Sequence, residues 1–186
     1  MALAGVGEAS LRSSIRETLQ GRTTWLLVNL LTAILASVVI GVFDATIEQL
    51  VALAVLMPIV ASMGGNAGTQ TVTVAVRAIA LRQLDAVSTR NFVIREGLVA
   101  FLNGLLFAAL AAAVSFVWFG DPEIATVMAV AMFANLLIAG LSGTLVPIGL
   151  LRAGADPAVA SSVFVTTITD VVGFFVFLGL AALYLM

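Results

Sequence analysis

The chain has 186 residues, of which 62% are hydrophobic and only 10% are charged, whereas a soluble domain is about 45–50% apolar and about 25% charged. So much apolar surface needs lipid as its solvent, which excludes a soluble enzyme and a disordered segment. The sequence has no Cys and no His, so thiol nucleophiles, Cys/His zinc sites and a Ser-His-Asp triad are excluded and we expect no enzyme activity. The formal net charge is −2, and without a basic cluster we expect no nucleic-acid partner.

Residues 1–22 are predicted to form a short amphipathic helix on the cytoplasmic side of the membrane. Leu11, Ile15 and Leu19 recur every four residues, with charged residues on the other side of the helix. This pattern fits either an interfacial lead-in to the first membrane helix or the remnant of a helix that connects to a cytoplasmic domain.

Five transmembrane helices are predicted next, because the charged residues are separated by apolar stretches of about 20 residues or more, the length that a membrane helix needs. We place these helices near residues 23–43, 49–75, 97–119, 124–150 and 158–184. The first is too long for the apolar region of a signal peptide. The predicted fold class is therefore an all-α membrane protein, with residues 23–186 as one membrane domain.

All eight basic residues are arginines, and every one falls on the same side of the predicted bundle. They precede the first helix, lie between the second and third helices, or lie between the fourth and fifth: Arg12, Arg16, Arg22, Arg77, Arg82, Arg90, Arg95 and Arg152. The loops on the opposite side carry only acidic residues. Because arginine-rich loops stay in the cytoplasm, we expect a cytoplasmic N-terminus and a C-terminus outside.

Asp170 is the one charged residue of the fifth predicted helix, near mid-bilayer, where a carboxylate costs about 2.5–3.5 kcal/mol on insertion scales. No arginine lies at a matching depth, so the carboxyl is either protonated and hydrogen-bonded or faces water and a cation. Ser162, Thr166 and Asp170 are spaced four apart on one helix face, and Gly173 follows three residues later. Oxygen ligands of this kind suit Mg²⁺, Ca²⁺ or Mn²⁺, although a Ser or Thr hydroxyl in a helix also bonds its own backbone.

The second predicted helix carries a similar polar stripe. Close helix packing explains the glycines of its GGNAG run, but it does not explain Asn66 and Gln70. Gly65, Thr69 and Thr73 are again four apart, and polar positions in a membrane helix must face protein or a water-filled cavity. On the fourth predicted helix we expect the small and polar residues to serve packing: Asn135, Gly140, Ser142, Gly143, Thr144 and Pro147.

Three features stand out in the sequence: the run GGNAGTQ after Pro58, Arg77 at the end of that helix, and TTITDVVG on the last helix. Together they resemble the membrane domain of the MgtE family of magnesium channels and transporters, whose animal relatives are carriers. The resemblance covers about residues 22–186. It implies a homodimer with five helices per subunit, a pore on the two-fold axis lined by the second and fifth helices, and an inner bacterial membrane. Family members also carry soluble N and CBS domains before the first helix; we expect neither within these 186 residues, which fit an excised membrane domain or a natural short form.

The resemblance also assigns roles to individual residues. Asp170 and the backbone carbonyl of Thr166 are implied to bind the transported Mg²⁺, while Asp156 is implied to stand at the cytoplasmic mouth and to take part in gating. The implied pore-lining residues are Gly65, Asn66, Thr69, Thr73, Ser162 and Gly173; at positions 69 and 162 the family commonly has Asn. Mn²⁺ and Ca²⁺ are further candidate ions. The alternatives are a cation- or proton-coupled metal carrier, in which Asp170 titrates, and a structural membrane anchor.

Overall fold

The computed structural model describes residues 14–83 and 86–186, and this part of the chain contains helices and no strand. The helices are α1 (Ile15–Gly41), α2 (Asp44–Gln49), α3 (Val51–Ala80), α4 (Ala86–Phe119), α5 (Pro122–Arg152) and α6 (Pro157–Tyr184). Five of them, α1, α3, α4, α5 and α6, are long and apolar enough to span a membrane. The predicted number of spanning helices is confirmed, and the chain is an integral membrane protein.

Several helices extend further than the charge pattern predicts. α3 runs to Ala80 and α4 already begins at Ala86, so the broad loop expected between residues 75 and 97 is short and Glu96 lies inside α4. α1 begins at Ile15 and therefore includes the second half of the expected lead-in, whereas residues 1–13 lie outside the described residues. The physical reason is that charges mark where a helix leaves the hydrocarbon, while the backbone hydrogen bonds continue into the headgroup region.

The turns that precede α5 and α6 share one design. Asp121 and Asp156 each cap the helix that follows, accepting a backbone N–H at 2.8 Å and 2.9 Å respectively, with proline at the next position. Gly120 and Gly154 adopt positive φ angles of 67° and 77°, as residues that end a helix commonly do. The sequences GDP and GADP therefore determine both turns locally.

α5 is the central helix of the bundle and packs against α3, α4 and α6. Small residues permit these close crossings: Gly140 faces Ala100 of α4, and a Cβ on Gly143 would lie only 2.8 Å from the backbone oxygen of Gly68 in α3. The polar residues Asn135, Ser142 and Thr144 are buried. The packing role predicted for the fourth spanning helix is thus confirmed.

α1 lies at the edge of the bundle. It packs against α6 near one end, where the rings of Phe43 and Phe175 meet edge to face at 6.0 Å. Farther along α1, large apolar side chains such as Leu27 and Leu31 are exposed. This helix therefore presents most of its surface to lipid or to another protein chain.

Candidate cation site

Asp170 lies close to the middle of α6, roughly 20 Å from either end at about 1.5 Å per residue. Its side chain is half-buried, and among the described residues none makes a hydrogen bond or an ion pair with its carboxyl group. The described residues also contain no cluster of three or more His, Cys, Asp or Glu side chains. The described part of the chain therefore offers a single carboxylate at this depth and no complete metal cage.

Thr166 and Ser162 lie on the same face of α6 as Asp170, toward the end of the helix that begins at Pro157, and both are half-buried. The Thr166 hydroxyl donates to the carbonyl of Ser162 at 2.9 Å. Behind this face, the Thr169 hydroxyl donates to the Thr166 carbonyl at 2.9 Å. The carbonyl that the resemblance implies as a ligand therefore already accepts a side-chain hydrogen bond, a feature that the sequence did not reveal.

The polar stripe predicted on α3 lies on the open surface of the helical bundle. Thr69 and Thr73 are exposed, and their hydroxyls donate to the carbonyls of Gly65 and Thr69, each at 2.8 Å. Asn66 is exposed too, with its Nδ2 donating to the Ser62 hydroxyl at 3.3 Å. Because the threonine protons point back to the helix, the hydroxyl oxygens present acceptor lone pairs outward.

The two polar stripes adjoin where α3 packs against α6. A Cβ placed on Gly65 would lie 3.7 Å from the Cγ2 of Thr166, an ordinary van der Waals distance. Gly65 and Thr166 are therefore neighbours across this helix contact, with room for a methyl group between them. The structure brings the predicted residues of two distant segments onto neighbouring helix faces, one turn of α6 away from Asp170.

Gly173 has a different position from the other predicted pore residues, because it is buried inside the subunit against Asn135 of α5. A Cβ on Gly173 would lie 2.7 Å from the Nδ2 of Asn135, and a Cβ on Gly64 of α3 would lie 2.8 Å from its Cγ. Asn135 is only 1% exposed, and its Nδ2 donates to the Val60 carbonyl of α3 at 2.8 Å. The Asn135 side chain therefore connects the helices that carry both stripes.

The role of Asn135 in shaping the site was missed by sequence reasoning, which assigned it to general packing. The signal that could have revealed it is the pair of glycines, Gly64 and Gly173, on the two helices that carry the polar stripes.

Asp156, expected at the cytoplasmic mouth, is exposed and lies at the first turn of α6, where its carboxylate accepts the N–H of Ala158. It stabilises the start of the helix that carries Asp170.

Comparison with known proteins identifies the group to which this membrane bundle belongs. Residues 57–180 match the model of the MgtE family, described as divalent cation transporters. The chain is 34% identical to the magnesium transporter MgtE of Thermus thermophilus and 32% identical to that of Bacillus subtilis, over 88% of this chain and 36% of each relative. It is 27% identical to the Enterococcus faecalis magnesium transporter MgtE over 98% of this chain and 40% of that relative.

The chain thus spans well under half the length of these curated relatives. The family match, in contrast, covers most of the chain. It includes the glycine-rich part of α3, all of α4 and α5, and Asp170 on α6. On this match, the protein belongs to the MgtE family of divalent cation transporters.

Proposed function

We propose that this chain conducts Mg²⁺ across the membrane through a pore in which Asp170 recognises the hydrated ion. The family supports divalent cation transport, and the relatives named above are magnesium transporters. The observation that carries the proposal is the unpaired Asp170 carboxyl at the middle of α6, on a helix face whose Thr166, one turn away, adjoins a polar stripe of α3 that the chain leaves open.

A homodimer follows from the cost of that open polar surface. The threonine hydroxyls bond their own helix backbone, but an exposed asparagine such as Asn66 is better accommodated by protein or water than by lipid tails. A second copy related by a two-fold axis covers such a surface with its equivalent. It also brings two Asp170 carboxylates to one axis, where their charges balance one divalent cation.

The hydroxyl groups on the α3 stripe and on the Asp170 face of α6 favour a hydrated ion over a dehydrated one. Mg²⁺ loses its water reluctantly, and the water molecules around it are hydrogen-bond donors to the protein. Thr69, Thr73 and Thr166 have already directed their own protons to backbone carbonyls. Their oxygens are therefore acceptors, which is the complementary chemistry for a hydrated cation.

The orientation proposed from the arginines is compatible with the helices. Arg77 lies in the last turn of α3 and Arg152 ends α5, at the end of the bundle where α6 begins with Pro157. Asp121 and Glu123 lie at the opposite end. The rule that arginines stay inside places Asp156 at the cytoplasmic face and Tyr184 near the outer face.

The test is Mg²⁺ uptake into liposomes at a fixed membrane potential, for the parent, Asp170→Asn and the control variant Glu123→Gln. Asn retains the shape of Asp but removes the charge, so we expect at least a tenfold loss of uptake with unchanged thermal stability. Glu123 is exposed at the opposite end of the bundle, so its variant should transport normally. Parent-like uptake by Asp170→Asn would refute the proposal.

The same vesicles test the alternative carrier mechanism, which the half-buried and unpaired Asp170 also suits. A pore responds to the Mg²⁺ gradient and the membrane potential alone. A carrier coupled to protons through Asp170 would show uptake that depends on an imposed pH gradient at constant potential. Replacing Mg²⁺ by Mn²⁺ or Ca²⁺ in this assay measures the selectivity.

A further inference from the structure

A polar pocket of about 180 Å³ lies between α3, α4 and α5, on a different face of α3 from the stripe of Gly65, Thr69 and Thr73. Its wall on α3 consists of positions 67, 70, 71 and 74, and its wall on α4 of positions 96, 99, 100 and 103. Both sets have the three- and four-residue spacing of a single helix face. Leu136 and Gly140 of α5 form its floor, so the pocket is formed by two helix faces that oppose each other across the central helix.

Three polar side chains line this pocket without a partner. Gln70, Glu96 and Asn103 make no hydrogen bond or ion pair with any described residue. All three belong to spanning helices. Glu96 is half-buried and Gln70 and Asn103 are exposed at the rim, so all three polar groups are available to a polar ligand that enters the pocket.

The pocket lies toward the arginine-bearing end of the bundle. Gln70 is ten residues before the end of α3 and Glu96 is ten residues after the start of α4, roughly 15 Å along either helix. Asp170 lies deeper, in the middle of α6. A ligand from the proposed cytoplasmic side therefore reaches this pocket without passing the Asp170 site.

We infer that this pocket binds a hydrated divalent cation, with Glu96 as the counter-charge and the amide oxygens of Gln70 and Asn103 as acceptors for its water. A carboxylate and neutral oxygens are the donor set that Mg²⁺ and similar hard cations prefer. The pocket of about 180 Å³ has room for a cation together with bound water molecules. The site is separate from Asp170 and does not require a pore or a dimer.

The experiment measures binding of Mg²⁺ alone to the purified protein in detergent by titration calorimetry, in an Asp170→Asn background that disables the first proposed site. We expect this variant to retain one Mg²⁺ per chain. Adding Glu96→Gln, which preserves size and removes the charge, should weaken that binding at least tenfold. Adding Glu123→Gln instead, an exposed acid at the other end of the bundle, should leave it unchanged.

A variant with increased affinity controls for misfolding, because a misfolded protein would lose Mg²⁺ binding and not gain it. Gln70→Glu places a second carboxylate in the pocket and should tighten Mg²⁺ binding at least threefold. Hexaamminecobalt(III), whose ligands do not exchange, should compete with Mg²⁺ if the ion keeps its water. The inference is overturned if Asp170→Asn binds no Mg²⁺, if Glu96→Gln has no effect, if Gln70→Glu does not strengthen binding, or if the cobalt complex fails to compete.

Discussion

Replacement of Gly173 by alanine tests whether Asn135 sets the distance between α6 and α5. The added methyl carbon would lie 2.7 Å from the Nδ2 and 2.9 Å from the Cγ of Asn135, closer than real Cβ atoms approach. Asn135 has no room to withdraw, because it is 1% exposed and also lies against Gly64. Either α6 shifts outward or the amide leaves the Val60 carbonyl, to which it donates at 2.8 Å.

Both responses should lower the free energy of unfolding by a similar amount. Overpacking a filled interior destabilises by about 1–3 kcal/mol, and leaving a buried amide without its hydrogen bond costs about 1–3 kcal/mol. For a chain of this size, each kcal/mol corresponds to about 2–4 °C in melting temperature. We therefore expect Gly173→Ala to lower the Tm by about 2–12 °C.

The assay is thermal unfolding in detergent for Gly173→Ala, Asn135→Ala and the double variant. Removal of the Asn135 amide makes room for the methyl group, so the double variant should be less destabilised than the sum of the single variants, by about 0.5–3 kcal/mol of coupling. Gly149→Ala is the matched control, since nothing lies within 4 Å of a Cβ at that position of α5. A Gly173→Ala protein as stable as the parent, or strictly additive effects, would show that this contact does not determine the helix spacing.

Two further predictions concern the first turn of α6 and the open face of α3. Asp156→Ala should lower the free energy of unfolding by about 1 kcal/mol through loss of the helix cap, whereas Asp156→Asn should retain the cap and the stability. Any change in the Mg²⁺ dependence of uptake that Asp156→Asn produces then reports the charge alone. Equal melting temperatures of the two variants would contradict the capping role. The chain has no native Cys, so Thr69→Cys gives a single thiol that should cross-link two subunits by a short bifunctional reagent in liposomes. Val117→Cys, 79% exposed on α4, should not, and cross-linking at position 117 in place of 69 would disprove the proposed interface.

The number and type of spanning helices were predictable from the sequence, because a membrane imposes a length and an apolar composition on every segment that crosses it. The turns before α5 and α6 were equally local, since Gly, Asp and Pro act through the backbone of their immediate neighbours. The four-residue spacing of Ser162, Thr166 and Asp170 is sufficient to place them on one face of a helix. These properties depend on residues close in sequence and on the surrounding solvent.

The helix ends and the partners of each face depended on the tertiary structure. Charge spacing could not reveal that α4 begins at Ala86, and it therefore placed Glu96 at a loop boundary, whereas the residue lies in a pocket opposite Gln70. Nor could spacing distinguish Gly173, which contacts Asn135, from Gly65, which contacts Thr166. A helical period specifies which residues share a face, but the neighbour of that face is decided by packing among helices that are remote in sequence.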